Sequence, residues 1–280
     1  MEVLEKISEV KSYVHQLREQ GKSIGFVPTM GALHQGHISL VERAVKENDI
    51  VICSIFVNPI QFNNPEDLKK YPRTIEKDLE MLIAAGCTKV FMPGVEEMYP
   101  EKINKEYDFG LMGEVMEAEF RPGHFNGVAI VVNLLFTITQ PHRAYFGEKD
   151  FQQLAVIRKM VEMDQLDVEI IPCAIMREDN GLAMSSRNMR LSSEQRDIAS
   201  LIFRIIQSVK EMALNHNPDQ VQQWAINEFE ISQGIELEYF KIVNTYTLES
   251  FGLWKDVESC TACVAAYVGG VRLIDNMKIF

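Results

Sequence analysis

The chain reads as an α/β protein: a Rossmann-like, doubly wound parallel sheet with a smaller C-terminal α+β domain. Three observations predict this. From residue 23 to residue 172, short apolar runs alternate with segments of helical spacing, a rhythm that right-handed crossovers turn into a parallel sheet. Ile50-Val51-Ile52-Cys53-Ser54-Ile55-Phe56-Val57 is apolar almost throughout, as a strand covered on both faces must be. Near residue 176 the rhythm gives way to two helices and then three strands, so the expected domains are 1–176 and 177–280, the second a candidate lid.

Taken in order, Leu4, Ile7, Val10, Val14 and Leu17 recur at three- and four-residue steps and predict an amphipathic first helix, ended by Gly21. Residues 23–27 form a short buried strand with Pro28 as its stop. Apolar positions at 38, 41 and 45 place residues 38–45 on a helix. The apolar run 50–57 is broken by Asn58-Pro59, which leaves Gln61 just past the C-terminal end of a strand, where open α/β sheets bind ligands. Residues 63–73 are polar with two prolines and are expected to be a loop that could cover the site. Thr74 caps a helix running to Ala85, with Gly86 as its stop, and Lys89-Val90-Phe91-Met92 is the next strand. Residues 100–122 lack a period and should be irregular, with one short helix near 113–119. A glycine-bearing loop, 121–127, precedes an apolar helix at 128–138. Strand 143–146, helix 151–163 and strand 168–172 complete the first domain.

In the second domain, Ser192-Ser193-Glu194-Gln195 has the form of a capping box for a helix over 194–214, and Pro218 starts another that runs to about 233. Strands are expected at 237–243, 259–268 and 271–277, with Gly269-Gly270 as a two-residue hairpin turn.

A net charge of −12 excludes broad binding to nucleic acid or to anionic membrane, both of which need a basic surface, and leaves room for one basic nucleotide pocket. Charged residues interrupt the N-terminus, so no signal peptide is expected, and no apolar run is long enough to span a bilayer. Five cysteines, an odd set, argue against a disulfide framework and fit a reducing cytoplasm. Cys260-Thr-Ala-Cys263 falls in a strand, where positions three apart face opposite ways, so neither metal nor redox use is expected of it.

The chemistry concentrates in four places. Met30-Gly31-Ala32-Leu33-His34-Gln35-Gly36-His37 joins a strand to a helix N-terminus, where backbone N–H groups and the positive dipole end favour an anion. His34 and His37 can share one face and donate to phosphate; the alternative is that one caps and the other packs. The spacing of Gly31 and Gly36 approaches a P-loop, but His37-Ile38 stands where Lys-Ser/Thr is required. Gly147-Glu148-Lys149-Asp150 is a second strand-to-helix turn, with a cation for phosphate in Lys149 and a candidate magnesium ligand in Asp150. Met184-Ser185-Ser186-Arg187 sets two hydroxyls before a guanidinium, a compact phosphate clamp, and Gly181 is expected to let that loop swing. Gln61 and Gln153 are carboxamides that both donate and accept, as a hydroxy acid requires. His124 is either a third catalytic imidazole or a packed loop residue.

Pro28-Thr29-Met30-Gly31-Ala32-Leu33-His34-Gln35-Gly36-His37 resembles the signature of the pantothenate synthetases, within the wider H-x-G-H nucleotidyltransferases, and Met184–Arg187 resembles the K-M-S-K-S loop of that superfamily. The resemblance implies an ATP-dependent, AMP-forming condensation of pantoate with β-alanine through an acyl adenylate, in a cytoplasmic homodimer that uses magnesium. It implies an ATP site of Met30 to His37, Gly147 to Asp150, Met176 and Met184 to Arg187, with His34, His37 and Lys149 as the catalytic side chains. It also implies that Gln61 and Gln153 hold pantoate, that Gln61 meets β-alanine, and that Asp150 and Asp78 are candidate metal ligands. Two rivals stay open on sequence grounds: a transferase of the same fold with a nucleotide acceptor, and a nucleotide-binding regulator without turnover.

Overall fold

Alternation decides the layers of the sheet. In the computed structural model, which describes residues 1–63 and 65–280, Ile24 and Phe26 point to one apolar core and Val27 to another. Ile52 joins the first, while Val51, Cys53 and Ile55 join the second. A strand buried on both faces needs helices on both sides, and each fully buried Val, Ile or Phe side chain contributes roughly 1.5–3 kcal/mol toward holding them there.

The elements in chain order are β1 (Glu2–Leu4), α1 (Ile7–Glu19), β2 (Ile24–Thr29), α2 (Gln35–Glu47), β3 (Ile50–Ile55), a 3₁₀ turn (Pro59–Gln61), α3 (Pro65–Lys69), α4 (Ile75–Ala84), β4 (Lys89–Phe91) and α5 (Val95–Met98). A second 3₁₀ turn (Gly110–Gly113) leads to α6 (Glu117–Phe120), α7 (His124–Thr139), β5 (Arg143–Gly147), α8 (Phe151–Met163) and β6 (Glu169–Cys173). Then come α9 (Ser193–Met212), α10 (Pro218–Ile231), β7 (Ile235–Asn244), β8 (Cys260–Val268) and β9 (Val271–Lys278). The chain divides into two compact units: Met1–Phe109, Arg121–Glu148 and Gln153–Ala174 in the first; Gly110–Phe120, Lys149–Gln152 and Ile175–Phe280 in the second.

The first unit holds a six-stranded sheet of order β1-β4-β3-β2-β5-β6, every pair parallel. Residues of α1, α7 and α8 fill one core and residues of α2 and α4 the other. The order runs outward from β2 in one direction and from β5 in the other, so the switch point lies between these neighbours, and ligands bind such sheets there at the C-terminal ends of the strands.

Several local expectations need correction. Leu4 belongs to β1, paired with Phe91 of β4, and not to the first helix; three residues are too few to show a period. Strand β2 continues through Pro28, which pairs in register with Ser54. Alternate residues of a strand bond to alternate neighbours, and the ladder to β5 covers only Gly25 and Phe26, so the N–H that Pro28 lacks was not needed. The expected loop 63–73 carries α3; its Asn64 lies outside the described residues. Helix α7 begins at His124, immediately after Gly123 at φ 79°, so part of the expected glycine loop is helical.

The second unit packs α9 and α10 on one face of the antiparallel sheet β7-β8-β9. Ser192 caps α9 through the reciprocal pair with Gln195, and Gly269 and Gly270 turn the β8–β9 hairpin at φ 56° and 72°, the double left-handed form that glycine adopts without strain. Cys260 faces the helix-covered core and Cys263 the opposite side, against Met116 and Leu248. Among the described residues no helix is long and apolar enough to cross a membrane.

Candidate active site

The histidine loop starts where β2 ends. Thr29 Oγ1 donates to the Ser54 carbonyl at 2.7 Å and accepts from the Gly31 N–H at 3.2 Å, which turns the chain off the sheet. Gly31 and Ala32 both adopt left-handed backbone, φ 80° and 50°. His34 then serves as N-cap of α2: its Nδ1 accepts from the Gly36 N–H at 3.1 Å, and the His34 N–H reaches back to His37 Nδ1 at 3.3 Å. Both rings use Nδ1 as an acceptor, so a neutral ring carries its proton on Nε2. The ring centroids are 4.0 Å apart. The capping alternative therefore describes His34 in part, and it leaves both Nε2–H groups oriented by the helix start.

Gln61 is buried beside this loop, with its Nε2 donating to Met30 Sδ at 3.1 Å. Its orientation is fixed from behind. Asn58 Nδ2 donates to Gln61 Oε1 and to the Gly127 carbonyl, both at 3.1 Å, and Tyr99 Oη donates to Asn58 Oδ1 at 2.7 Å. With Oε1 held by Asn58, the amide group is the end turned toward Met30. Burial pushes the Tyr99 hydroxyl well above its ordinary pKa, so it stays a donor. His124 is buried at the start of α7 with Nδ1 2.8 Å from the Gln61 carbonyl oxygen, so it braces the 3₁₀ turn and is packed. A Cβ at Gly127 would lie 2.5 Å from the Ile60 carbonyl oxygen, so only glycine lets α7 approach this closely. An open cleft lies over the C-terminal ends of β2, β3 and β4, lined by Met30, Gly31, Ile55, Phe56, Arg73 and Met92.

Sequence reasoning did not single out Asn58, Tyr99 or Gly127 for the site. Asn-Pro is a helix-start signature, and a glycine in an apolar helical run marks close approach, so two of the three had a local signal. Tyr99 had none.

The remaining site residues are placed as follows. Gly147 ends β5, adjacent to β2, and the Glu148 N–H donates to the Cys173 carbonyl at 2.8 Å. Gln153 is half-buried near the start of α8, and nothing joins it directly to Gln61 among the described residues. Its neighbour Gln152 is the structural one: it accepts from the Glu117 N–H and donates to the Met112 and Val115 carbonyls.

In the second unit, Lys149 lines a small cleft with Ser185, Arg187, Asn188, Arg272 and Asp275. Asn276 Nδ2 donates to the Lys149 carbonyl at 2.9 Å, tying that turn to β9. Ser185 caps the 3₁₀ turn Ser186–Arg190 by accepting from the Arg187 N–H, and Asn188 anchors the turn by donating to Glu178 and to the Ala183 carbonyl. Met176 is exposed, and its carbonyl accepts from the Met184 N–H at 2.9 Å. Gly181 is not the hinge the sequence suggested. Arg177 holds its carbonyl at 3.0 Å while paired with Asp275 at 2.7 Å, and a Cβ at Gly181 would meet the Phe203 ring at 2.3 Å.

The carboxylates named for a metal fare differently. Asp78 is 1% exposed and takes three hydrogen bonds, from the Ala32 and Leu33 N–H groups and the Thr74 hydroxyl, so it ties the loop down. Asp150 is exposed. Among the described residues no group of three or more His, Cys, Asp or Glu side chains is arranged to hold a metal ion.

Comparison with known proteins gives the family. The family model described as pantoate-beta-alanine ligase matches residues 2–278. The chain belongs to that family. It is 50% identical over 278 residues to the pantothenate synthetase of Porphyromonas gingivalis and 47% identical over 278 residues to that of Bacteroides fragilis, covering 99% of both chains in each case. The pantothenate synthetase structure from Thermus thermophilus superposes with a TM-score of 0.93 at 40% identity, with 100% of each chain covered. The pantoate-beta-alanine ligase of Francisella tularensis, solved with Beta-gamma ATP and beta-alanine, gives 0.81 at 35% identity, covering 100% of this chain and 98% of that one. As a member of this family the chain is a ligase.

Proposed function

We propose that this ligase condenses pantoate with β-alanine in two steps, through a pantoyl adenylate. A pantoate carboxylate oxygen attacks the α-phosphorus of ATP, the bond to the β-phosphate breaks, and pyrophosphate leaves. The β-alanine nitrogen then attacks the activated carbonyl, AMP departs with the shared oxygen, and the amine gives up its proton. The observation that carries this reading is the contact between Gln61 Nε2 and Met30 Sδ at 3.1 Å. It sets a buried, pre-oriented amide donor directly against the loop whose helix start and two imidazoles suit phosphate.

Roles follow from the family resemblance together with the chemistry of each group. His34 and His37 donate through Nε2–H to charge developing on the phosphates, where an oriented donor is worth most. Gln61 and Gln153 hold pantoate, and Gln61 later meets the amine of β-alanine. The family resemblance assigns nucleotide binding to Met30 to His37, Gly147 to Asp150, Met176 and Met184 to Arg187, and the side chains of Lys149, Ser185, Ser186 and Arg187 are chemically suited to a triphosphate. Magnesium enters as part of the ATP substrate, bound to phosphate oxygens, as magnesium commonly is in nucleotide enzymes. The family resemblance supports a homodimer.

Product analysis tests the reading: with ATP, pantoate and β-alanine, AMP, pyrophosphate and pantothenate should form in equal amounts. ADP and inorganic phosphate in place of AMP and pyrophosphate would refute it. Two variants separate the half-reactions. Gln61→Ala should slow both, because one amide serves both acceptors, whereas Arg187→Ala should slow mainly pyrophosphate formation. Equal slowing of both steps by Arg187→Ala would remove the assignment of Arg187 to the triphosphate.

A further inference from the structure

We infer that Asp78 is a positioning residue for the first half-reaction: it clamps the histidine loop in its left-handed turn and acts through His34 and His37. The inference deepens the proposed function and rests on that reading of the two imidazoles.

The geometry is specific. Oδ2 of Asp78 accepts from the Ala32 N–H at 2.9 Å and Oδ1 from the Leu33 N–H at 2.8 Å, so one carboxylate grips two successive amides. Thr74 Oγ1 donates to Oδ1 at 2.9 Å. Asp78 lies in the first turn of α4, whose N-terminal dipole offsets the buried negative charge. Successive amides can converge on one anion only when the backbone curls, and here Gly31 and Ala32 supply the curl at φ 80° and 50°. For Ala32 this conformation is unfavourable and persists because the surroundings impose it. At Gly31 a Cβ would lie 3.1 Å from Asp78 Oδ2 and 3.2 Å from Ile55 Cγ2, tight contacts added to a backbone angle that other residues adopt only with strain. The residue after Leu33 is His34, the cap of α2, so the clamp sets where that helix starts and where both imidazoles point. An acidic residue 45 positions along the chain thus fixes the register of the phosphate-facing loop.

The experiment compares Asp78→Asn and Thr74→Val with the wild-type enzyme. Asparagine keeps the shape but offers one acceptor atom where the carboxylate offers two, so one loop amide loses its partner. We expect amide hydrogen exchange over residues 30–37 to accelerate while the rest of the first unit keeps its protection. The rate of pantoate-dependent pyrophosphate formation should fall about 10²-fold, the scale expected when catalytic groups shift by an ångström. The KM for β-alanine and the magnesium concentration at half-maximal rate should stay unchanged. Thr74→Val should show the same pattern at smaller amplitude, and it decides the question if Asp78→Asn does not fold. A raised magnesium requirement, with the rate restored by excess magnesium, would make Asp78 a metal ligand and overturn the inference. So would unchanged exchange over residues 30–37. Absence of pyrophosphate formation by the wild-type enzyme would instead refute the proposed function, and the exchange data would still decide the clamp.

Discussion

His37→Ala should retain the fold and lose about 10²–10³-fold in the rate of adenylate formation, the usual cost of removing one oriented donor from developing charge. Its effect on stability should be small, because the His37 contact to the His34 N–H is a long one at 3.3 Å. His34→Ala provides the contrast. That variant removes the acceptor of the Gly36 N–H and should cost about 1 kcal/mol of stability as an N-cap loss, in addition to its effect on rate. Single-turnover pyrophosphate formation, together with thermal unfolding, separates the two behaviours. A His37→Ala enzyme within about threefold of wild type would assign His37 to packing, since even a weak donor at developing charge contributes more than that.

Arg272→Ala should produce the largest loss of stability. Arg272 makes a bidentate pair with Glu117 at 2.7 and 2.8 Å and donates from Nε to Glu238 at 2.9 Å, with a further short contact from Nη2. Tyr239 and Tyr267 donate their hydroxyls to Glu117 and Glu238. The side chains of Arg272, Glu117 and Glu238 are 14%, 9% and 12% exposed. Removing the cation leaves two neighbouring carboxylates without their counter-charge in a buried setting, which costs about 3–5 kcal/mol. Trp224 and Trp254 both belong to the second unit, so tryptophan fluorescence in a denaturant titration reports this unit alone. Arg272→Met with Glu117→Gln and Glu238→Gln should recover much of the loss, because no charge is then stranded. A loss below about 1 kcal/mol for Arg272→Ala would place the network among surface ion pairs.

The doubly wound sheet was legible because β3, β2 and β5 are apolar on both faces, a pattern that only a covered parallel sheet explains. The α9 cap and the glycine hairpin were legible because both are local: four residues specify the first and two the second. The elements missed are short or interrupted. β1 has three residues, α3 and α5 have five and four, and the start of α7 is hidden between Gly123 and Gly127. For the site, the histidine loop and Gln61 could be read from motif and position, but their supports could not. Asp78 meets Ala32 from 46 residues away, Tyr99 meets Asn58 from 41, and Arg272 meets Glu117 from 155. No local period encodes such pairs. The same non-local pairing explains why Gly110–Phe120 belongs to the second unit although the sequence rhythm assigns it to the first.

The central claim is that activation of the carboxylate precedes and does not require the amine. Rapid-quench analysis of enzyme mixed with ATP, magnesium and pantoate, with β-alanine omitted, tests it most directly. The account predicts a burst of pyrophosphate and of retained pantoyl adenylate approaching one of each per active site, followed by release of AMP and pantothenate when β-alanine is added. If no pyrophosphate forms until β-alanine is present, the two-step scheme is contradicted, even should pantothenate be the final product.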